Sequence, residues 1–167
     1  MSQRIRDILE SAKSRKINRD KLKLWRGANA RKTHVYDNIE DLVDNIKAIG
    51  LQSPLLVKEE IPDEEYWVIS GQRRLRACEI AKVEKIPCLV LQNITLEDAL
   101  VLSVSENLYR QPMGDDDLSD ACYTLMQKFH SLAGVGRLLG VRDWKVKRYL
   151  GYRHVEEDVK ELVRAKK

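Results

Sequence analysis

The chain has 167 residues, 43% of them hydrophobic and 34% charged, with a formal net charge of +4. That length allows one ordinary domain or two small ones sharing a core, in the balance of a globular protein. No apolar run approaches membrane-spanning length and no leader pattern opens the chain, so the expected compartment is the cytoplasm, with no membrane partner. Cys78, Cys88 and Cys122 are widely spaced among apolar neighbours and are read as reduced, buried thiols. His34, His130 and His154 form no metal-spacing pair with a cysteine. A charge of +4 is mild, so the basic residues argue for nucleic acid only where they cluster.

Residues 1–33 are polar and basic, carrying Arg4, Arg6, Lys13, Arg15, Lys16, Arg19, Lys21, Lys23 and Arg26. Ile5, Ile8 and Leu9 share one face of a short helix. The segment is expected to be a solvated arm with a marginal helix, the sharper alternative being a docking arm for a partner. Next, Asp37-Asn38-Ile39-Glu40 resembles a capping box. Ile39, Leu42, Val43, Ile46 and Ile49 then recur at helical spacing, and Gly50 closes the helix. Leu55-Leu56-Val57 reads as a strand, Pro62-Asp63 as a turn, and Tyr66-Trp67-Val68-Ile69 as a second strand paired with the first. A helix over 72–81 follows, then a third strand over 86–91. Thr95-Leu96-Glu97-Asp98 caps another helix that runs to about Tyr109. Pro112-Met113-Gly114 breaks the chain, and a domain boundary is placed there. Asp115-Asp116-Asp117 suits a helix N-terminus, and everything beyond reads as helix.

Two constellations carry chemistry. In the first, a strand stops at Gly71 and a helix opens with Gln72-Arg73-Arg74-Leu75-Arg76. Such a turn aims backbone N–H groups and a helix dipole at one point, and arginines beside it supply forked donors for phosphate oxygens. Arg73 and Arg76 share a helix face, and Arg74 is expected to point elsewhere, toward Glu79 or a neighbouring subunit. The alternative is an exposed helix with arginines in ordinary ion pairs. In the second, Glu106 and Asn107 offer hard oxygen ligands suited to Mg²⁺ on a phosphate, and Arg110 stands within reach of a phosphate oxygen. Here the alternative is a frayed helix end with a Glu–Arg pair four apart.

Residues 131–150 carry a third signal. Val135 and Gly136 sit where one helix must let a second approach closely, Leu138 and Leu139 supply an apolar face, and Gly140 occupies the turn. Val141 and Val146 are expected to pack inward. The second helix, over about 142–150, is expected to expose Arg142, Lys145, Lys147 and Arg148, with Arg137 on the first helix beside them. In a helix-turn-helix the second helix enters the major groove, where Lys and Arg neutralise phosphates or read guanine. Trp144 either anchors this helix or packs against the sugar backbone. The plainer alternative is a helical hairpin with a basic, solvated face. Beyond it, Val155, Val159, Leu162 and Val163 mark another amphipathic helix.

Taken together these boxes resemble the ParB family. Gly71-Gln72-Arg73-Arg74-Leu75-Arg76-Ala77 is similar to its G-E-R-R-x-R-A box, and Glu106-Asn107-Leu108-Tyr109-Arg110 to its E-N-x-x-R box. Gly50-Leu51-Gln52-Ser53-Pro54-Leu55-Leu56-Val57 is similar to its glycine–proline–strand box, and the likeness runs from about Asn29 onward. The resemblance implies an α+β protein. A basic arm (1–33) would precede a small ParB/sulfiredoxin-like α/β domain (34–111), followed by an all-helical helix-turn-helix domain (112–167). It implies a centromere-binding partition protein acting on double-stranded DNA. A ParA-type ATPase partner would be engaged through Arg4, Arg6 or Arg15 of the arm, and self-association is expected. It further implies CTP with Mg²⁺. Gly71, Gln72, Arg73, Arg74, Arg76 and Arg110 would then lie at the nucleotide, and Glu106 and Asn107 near the metal. Two positions depart from the family pattern. Gln72 replaces the usual glutamate, which removes a carboxylate near the phosphates, and Ser53 stands where glutamine is common. A weak CTPase, a metal-dependent nuclease or phosphotransferase using Glu106 for acid–base work, and a transcriptional regulator are the alternatives on this scaffold.

Overall fold

The computed structural model describes residues 3–25, 39–110 and 115–155, with the side chains of residues 106–110 and 117 outside the description. The elements in chain order are α1 (Gln3–Glu10), β1 (Lys13–Asn18), a 3-10 turn (Arg19–Lys21), β2 (Leu22–Leu24) and α2 (Ile39–Ile49). There follow β3 (Leu55–Ile61), β4 (Glu65–Ser70), α3 (Gln72–Ile80) and β5 (Lys85–Leu91). Four helices complete the described chain: α4 (Leu96–Arg110), α5 (Asp115–Phe129), α6 (Leu132–Leu139) and α7 (Asp143–Tyr152). The strands form one mixed sheet in the order β1-β5-β3-β4-β2. β3 lies parallel to β5 and antiparallel to β4. Pro62-Asp63 makes the β3–β4 turn as expected, with Asp63 at φ 58°.

Period-two alternation sends the sheet's apolar residues to two faces. Leu55, Val57, Tyr66, Val68, Ile86, Cys88 and Val90 cluster with Val43 and Ile46 of α2 and Leu75 and Cys78 of α3. Leu56, Ile69 and Leu91 turn the other way and join Ile5 of α1, the length of α4, and inward residues of α5, α6 and α7. Two covered faces explain why β3 begins with three consecutive buried residues. The helices on either side of 111–114 therefore share one apolar core, and the boundary expected at Pro112 is not a break in packing. The three cysteines are buried and free. Burial pushes their thiols up, Cys78 and Cys122 to about 11 and Cys88 to about 12. Among the described residues no helix is long and apolar enough to cross a membrane.

The N-terminal segment overturns the expectation of a solvated arm. β1 pairs antiparallel with β5 from Lys13↔Val90 to Asn18↔Lys85, and β2 pairs parallel with β4. β1 buries only Ile17, so it is held by backbone pairing rather than by its own apolar pattern. As an edge strand it is rich in lysine and arginine, which discourages pairing with a second chain. α1 is fastened by Arg4, whose Nε and guanidinium donate to the two oxygens of Asp98 at 2.9 and 2.8 Å. Asp98 closes a reciprocal cap at the start of α4. It accepts from the Thr95 N–H at 3.1 Å and from the Thr95 hydroxyl at 2.7 Å, while Thr95 Oγ1 accepts from the Asp98 N–H at 3.1 Å. The capping expected from Thr95-Leu96-Glu97-Asp98 is thus present. Asp37-Asn38, His34 and the helix expected beyond Val155 lie outside the described residues.

Burial alone would push the Asp98 carboxyl up, but the hydrogen bonds from Arg4 and Thr95 and the Arg4 charge outweigh it and hold it below the ordinary 3.8. A carboxyl depressed on folding stabilises the fold above its unfolded pKa and ceases to do so as pH falls through its folded value. Asp98→Asn is accordingly expected to lose about 1–3 kcal/mol at pH 7. Its deficit relative to the wild type should shrink as the pH drops below the ordinary aspartate value of 3.8. Denaturant midpoints across that range measure both, and a deficit independent of pH would contradict the assignment.

Candidate nucleotide cradle and nucleic-acid interface

The cradle is built at the end of β4. Ser70 is buried, and Gly71 turns the chain with φ 106° and ψ 25°, serving as the N-cap of α3 without a side chain of its own. The Leu75 N–H donates to the Gly71 carbonyl at 2.8 Å and closes the first helical turn. Only glycine fits here. A Cβ at residue 71 would lie 2.6 Å from Leu55 Cδ2 and 3.2 Å from the Arg74 guanidinium, at a φ that L side chains rarely adopt. Glycine is therefore required by close packing and by its φ, and it stands at a helix N-terminus beside three arginines, a setting that suits an anionic group.

The arginines divide. Arg74 does not reach Glu79 but folds back and donates to the carbonyls of Ser53 and Pro54 at 3.1 and 2.5 Å. It ties α3 to the loop that precedes β3. Arg76 takes Glu79 instead, at 2.9 Å, with its side chain 54% exposed. Arg73 and Gln72 are half-buried beside Gly71. Glu106, Asn107 and Arg110 fall in the last turns of α4, with their side chains outside the described residues. Just before them Ser105 buries its hydroxyl without a partner among the described residues. Among the described residues no group of three or more His, Cys, Asp or Glu is placed to hold a metal.

The second site is the α6–α7 pair. Ser131 caps α6, its hydroxyl accepting from the Gly134 N–H at 3.1 Å. α6 ends at Gly140, which adopts φ 69°. Gly136 is where the helices meet: a Cβ there would lie 2.7 Å from the Val141 carbonyl oxygen and 3.3 Å from the Asp143 nitrogen. The Val141 N–H donates to the Gly136 carbonyl at 2.9 Å across the same turn. Val135, Leu139, Val146 and Tyr149 are buried between the helices, while Val141 is half-buried. On the outer side Arg137, Arg142, Lys147 and Arg148 are exposed, but Lys145 is half-buried, so the expectation of a fully exposed Lys145 is corrected. None of Arg142, Lys145, Lys147 and Arg148 has a carboxylate partner among the described residues, whereas Arg153 is held by Asp120 at 2.6 Å.

Residues 6–108 match the sequence model of the ParB N-terminal domain. The chain belongs to that family. The match starts within α1, ahead of the Asn29 expected from the motifs, in keeping with an N-terminal segment folded into the sheet. A Rickettsia felis protein named "Probable chromosome-partitioning protein ParB" is 36% identical over 80 residues, 48% of this chain and 26% of that protein. A Vibrio cholerae protein of the same name is 28% identical over 131 residues, 77% of this chain and 43% of that protein. The chain thus spans about a quarter of the length of the first relative and under half of the second. Among solved structures, truncated Caulobacter crescentus ParB complexed to the centromeric parS site shares the fold. It has a TM-score of 0.64 and 21% identity, covering 90% of this chain and 78% of that one. The same protein complexed with CTP-gamma-S gives 0.53 and 22%, covering 92% and 85%. The α+β architecture expected from the motifs is that fold.

Gly71→Ala combines a strained φ with a collision on Leu55. It is expected to lower stability by about 1–3 kcal/mol, read as a lower denaturant midpoint. An unchanged midpoint would show that the turn is not built as described.

Proposed function

We propose that this protein is a ParB-type partition protein that binds a centromere-like duplex through α7 and holds CTP at the Gly71 turn. The observation that carries the reading is the closure of α6 and α7 over Gly136, which leaves Arg142, Lys147 and Arg148 exposed without carboxylate partners among the described residues. A helix pair of that kind lays its second helix in the major groove. Arg142, Lys147 and Arg148 would meet phosphates or guanine edges, with Arg137 and Lys145 at the margins.

The nucleotide half rests on the glycine turn that opens α3 beside Arg73, Arg74 and Arg76. Arg73 and Arg76 would hold phosphate oxygens, Arg110 a further one, and Gln72 would line the turn. Arg74, tied to the Ser53 and Pro54 carbonyls, would hold the turn in shape. Glu106 and Asn107 would hold Mg²⁺, whose chemistry is to neutralise the clustered phosphate charge. With glutamine at position 72 and no acid–base group assigned beside the turn, binding rather than hydrolysis is the proposed role of the nucleotide. The Caulobacter complexes with parS and with CTP-gamma-S support the two halves by likeness of fold. Self-association and a ParA-type ATPase partner belong to the same reading. The partner's docking element would then be the folded α1, with Arg6 exposed on it, rather than a loose arm. Because residues 3–24 are built into the fold, Arg6→Ala is the cleaner test of that partner than a deletion.

The experiment is selection from a duplex library at several salt concentrations, with and without CTP and Mg²⁺. Enrichment of a defined site without strand scission is expected. Arg148→Ala should weaken binding and reduce the slope of log affinity against log salt by about 0.9 for each phosphate it no longer neutralises. Arg73→Ala should lower CTP affinity while leaving bare duplex binding intact. Cleavage dependent on Glu106 would replace this reading with a nuclease, and an unchanged affinity in Arg148→Ala would move the interface away from α7.

A further inference from the structure

Trp144 is the second residue of α7 and stands 53% exposed. A lone exposed apolar side chain is ordinary; its position on the helix is what sets this one apart. At about 100° per residue, buried Val146 and Tyr149 define the inward side of α7. Trp144, Arg148 and Gly151 then fall on the outward side, four and three residues apart. Among the described residues the Trp144 indole has no hydrogen bond and no ring partner; only its backbone N–H is engaged, donating to Asp143 Oδ1 at 2.9 Å. The fold therefore does not use this side chain.

Gly151 makes the same point independently. Glycine weakens a helix relative to alanine, and at other described positions it is explained by a close approach, as at Gly71 and Gly136, or by a positive φ, as at Gly50. A Cβ at Gly151 would meet nothing within 4 Å and its φ is unremarkable. The bare patch on the outward face has no occupant within the described chain. Charge identifies the class of occupant: residues 142–153 hold five cations and one carboxylate, Asp143.

The N-terminal residues of a groove-bound helix are the ones that reach base edges. An indole is a broad apolar plate with a single N–H donor and no acceptor. Of the four bases, thymine alone offers the major groove both a methyl group and a lone acceptor, O4; guanine and adenine have acceptors without a methyl, and cytosine presents a donor. We propose that Trp144 is a specificity-determining residue that reads one thymine per half-site, its ring against the C5-methyl and its N–H toward O4, while Gly151 lets the far end of α7 approach the sugar–phosphate backbone. This deepens the duplex-binding reading above and rests on it.

The test takes the full chain and the duplex selected from the library, replacing each thymine singly by deoxyuridine and by cytosine. In the wild type one thymine per half-site should cost about fourfold on loss of its methyl, the fold-change of burying one such group. Replacement by cytosine, whose donor would face the indole donor, should cost about tenfold or more. Trp144→Ala, an exposed position whose helix content can be checked by circular dichroism, should bind more weakly and no longer distinguish thymine from deoxyuridine. Trp144→Phe should keep the methyl discrimination and bring the cost of cytosine down to that of deoxyuridine. Gly151→Ala should weaken binding without lowering the unfolding midpoint. Indifference of every thymine to methyl removal in the wild type, or discrimination that survives Trp144→Ala, overturns the assignment and leaves the duplex-binding reading standing. If no duplex is selected at all, both fall together.

Discussion

Between Ala99 and Ser105, α4 has no solvent face: Ala99, Leu100, Val101, Leu102, Ser103, Val104 and Ser105 are all buried. A helix apolar all round must be enclosed on every side, and neither the sheet nor the helical half encloses it alone. The sheet offers Leu56, Ile69 and Leu91 on one side. α5, α6 and α7 bring Leu118, Leu125, Val135, Leu139 and Val146 from the other. Each buried side chain of this size contributes about 1.5–3 kcal/mol, so separating the halves would expose more apolar surface than a marginally stable fold tolerates. Both candidate sites inherit their placement from this rod. The cradle sits at the end of β4, whose Ile69 packs in the cluster around α4, and α7 is seated through α5 and α6, which close over the same helix.

Enclosure also explains the segment that the charge pattern alone would place in solvent. Once α4 covers the far face of the sheet, its N-terminal turn still needs a cover, and α1 supplies it with Ile5 in the core and Arg4 on Asp98. A guanidinium mostly in water holds a carboxylate mostly out of it. Losing Arg4 would leave Asp98 a buried carboxylate without its charged partner and with its desolvation cost uncompensated, whereas losing Asp98 would take the cap of α4 with it.

What could be read from the chain was whatever local chemistry decides. Gly71, Gly136 and Gly140 need their conformations or clearances because of residues within a few positions or on the adjoining strand, and each stands where the spacing placed it. The Thr95–Asp98 cap spans three residues and was legible for the same reason. β1 was not, because a strand with one inward side chain has no period to detect; its partner, β5, lies some seventy residues on. Nor was the target of Arg74. The carbonyls of Ser53 and Pro54 come within reach only after β3 and β4 pair, and the loop that carries them bears no sign of needing a donor. Lys145 fell on the expected helix, but which part of the helix surface faces α6 depends on a crossing that residue types alone do not fix.

The modest net charge conceals a division of labour among the cations. In the front of the molecule carboxylates take up several of them. Arg4 is bound to Asp98, Arg15 to Glu59 and Asp63, Lys58 to Glu60 and Arg76 to Glu79. In the rear, Lys128 goes to Glu97 and Arg153 to Asp120. Arg142, Lys147 and Arg148 at α7 remain exposed without carboxylate partners among the described residues. A positive potential of that kind is set by which charges stay uncompensated rather than by their sum, which is how a chain at +4 can present a strongly cationic face. Exposed pairs are individually worth little to stability, so the acidic partners elsewhere matter chiefly for what they remove from the field.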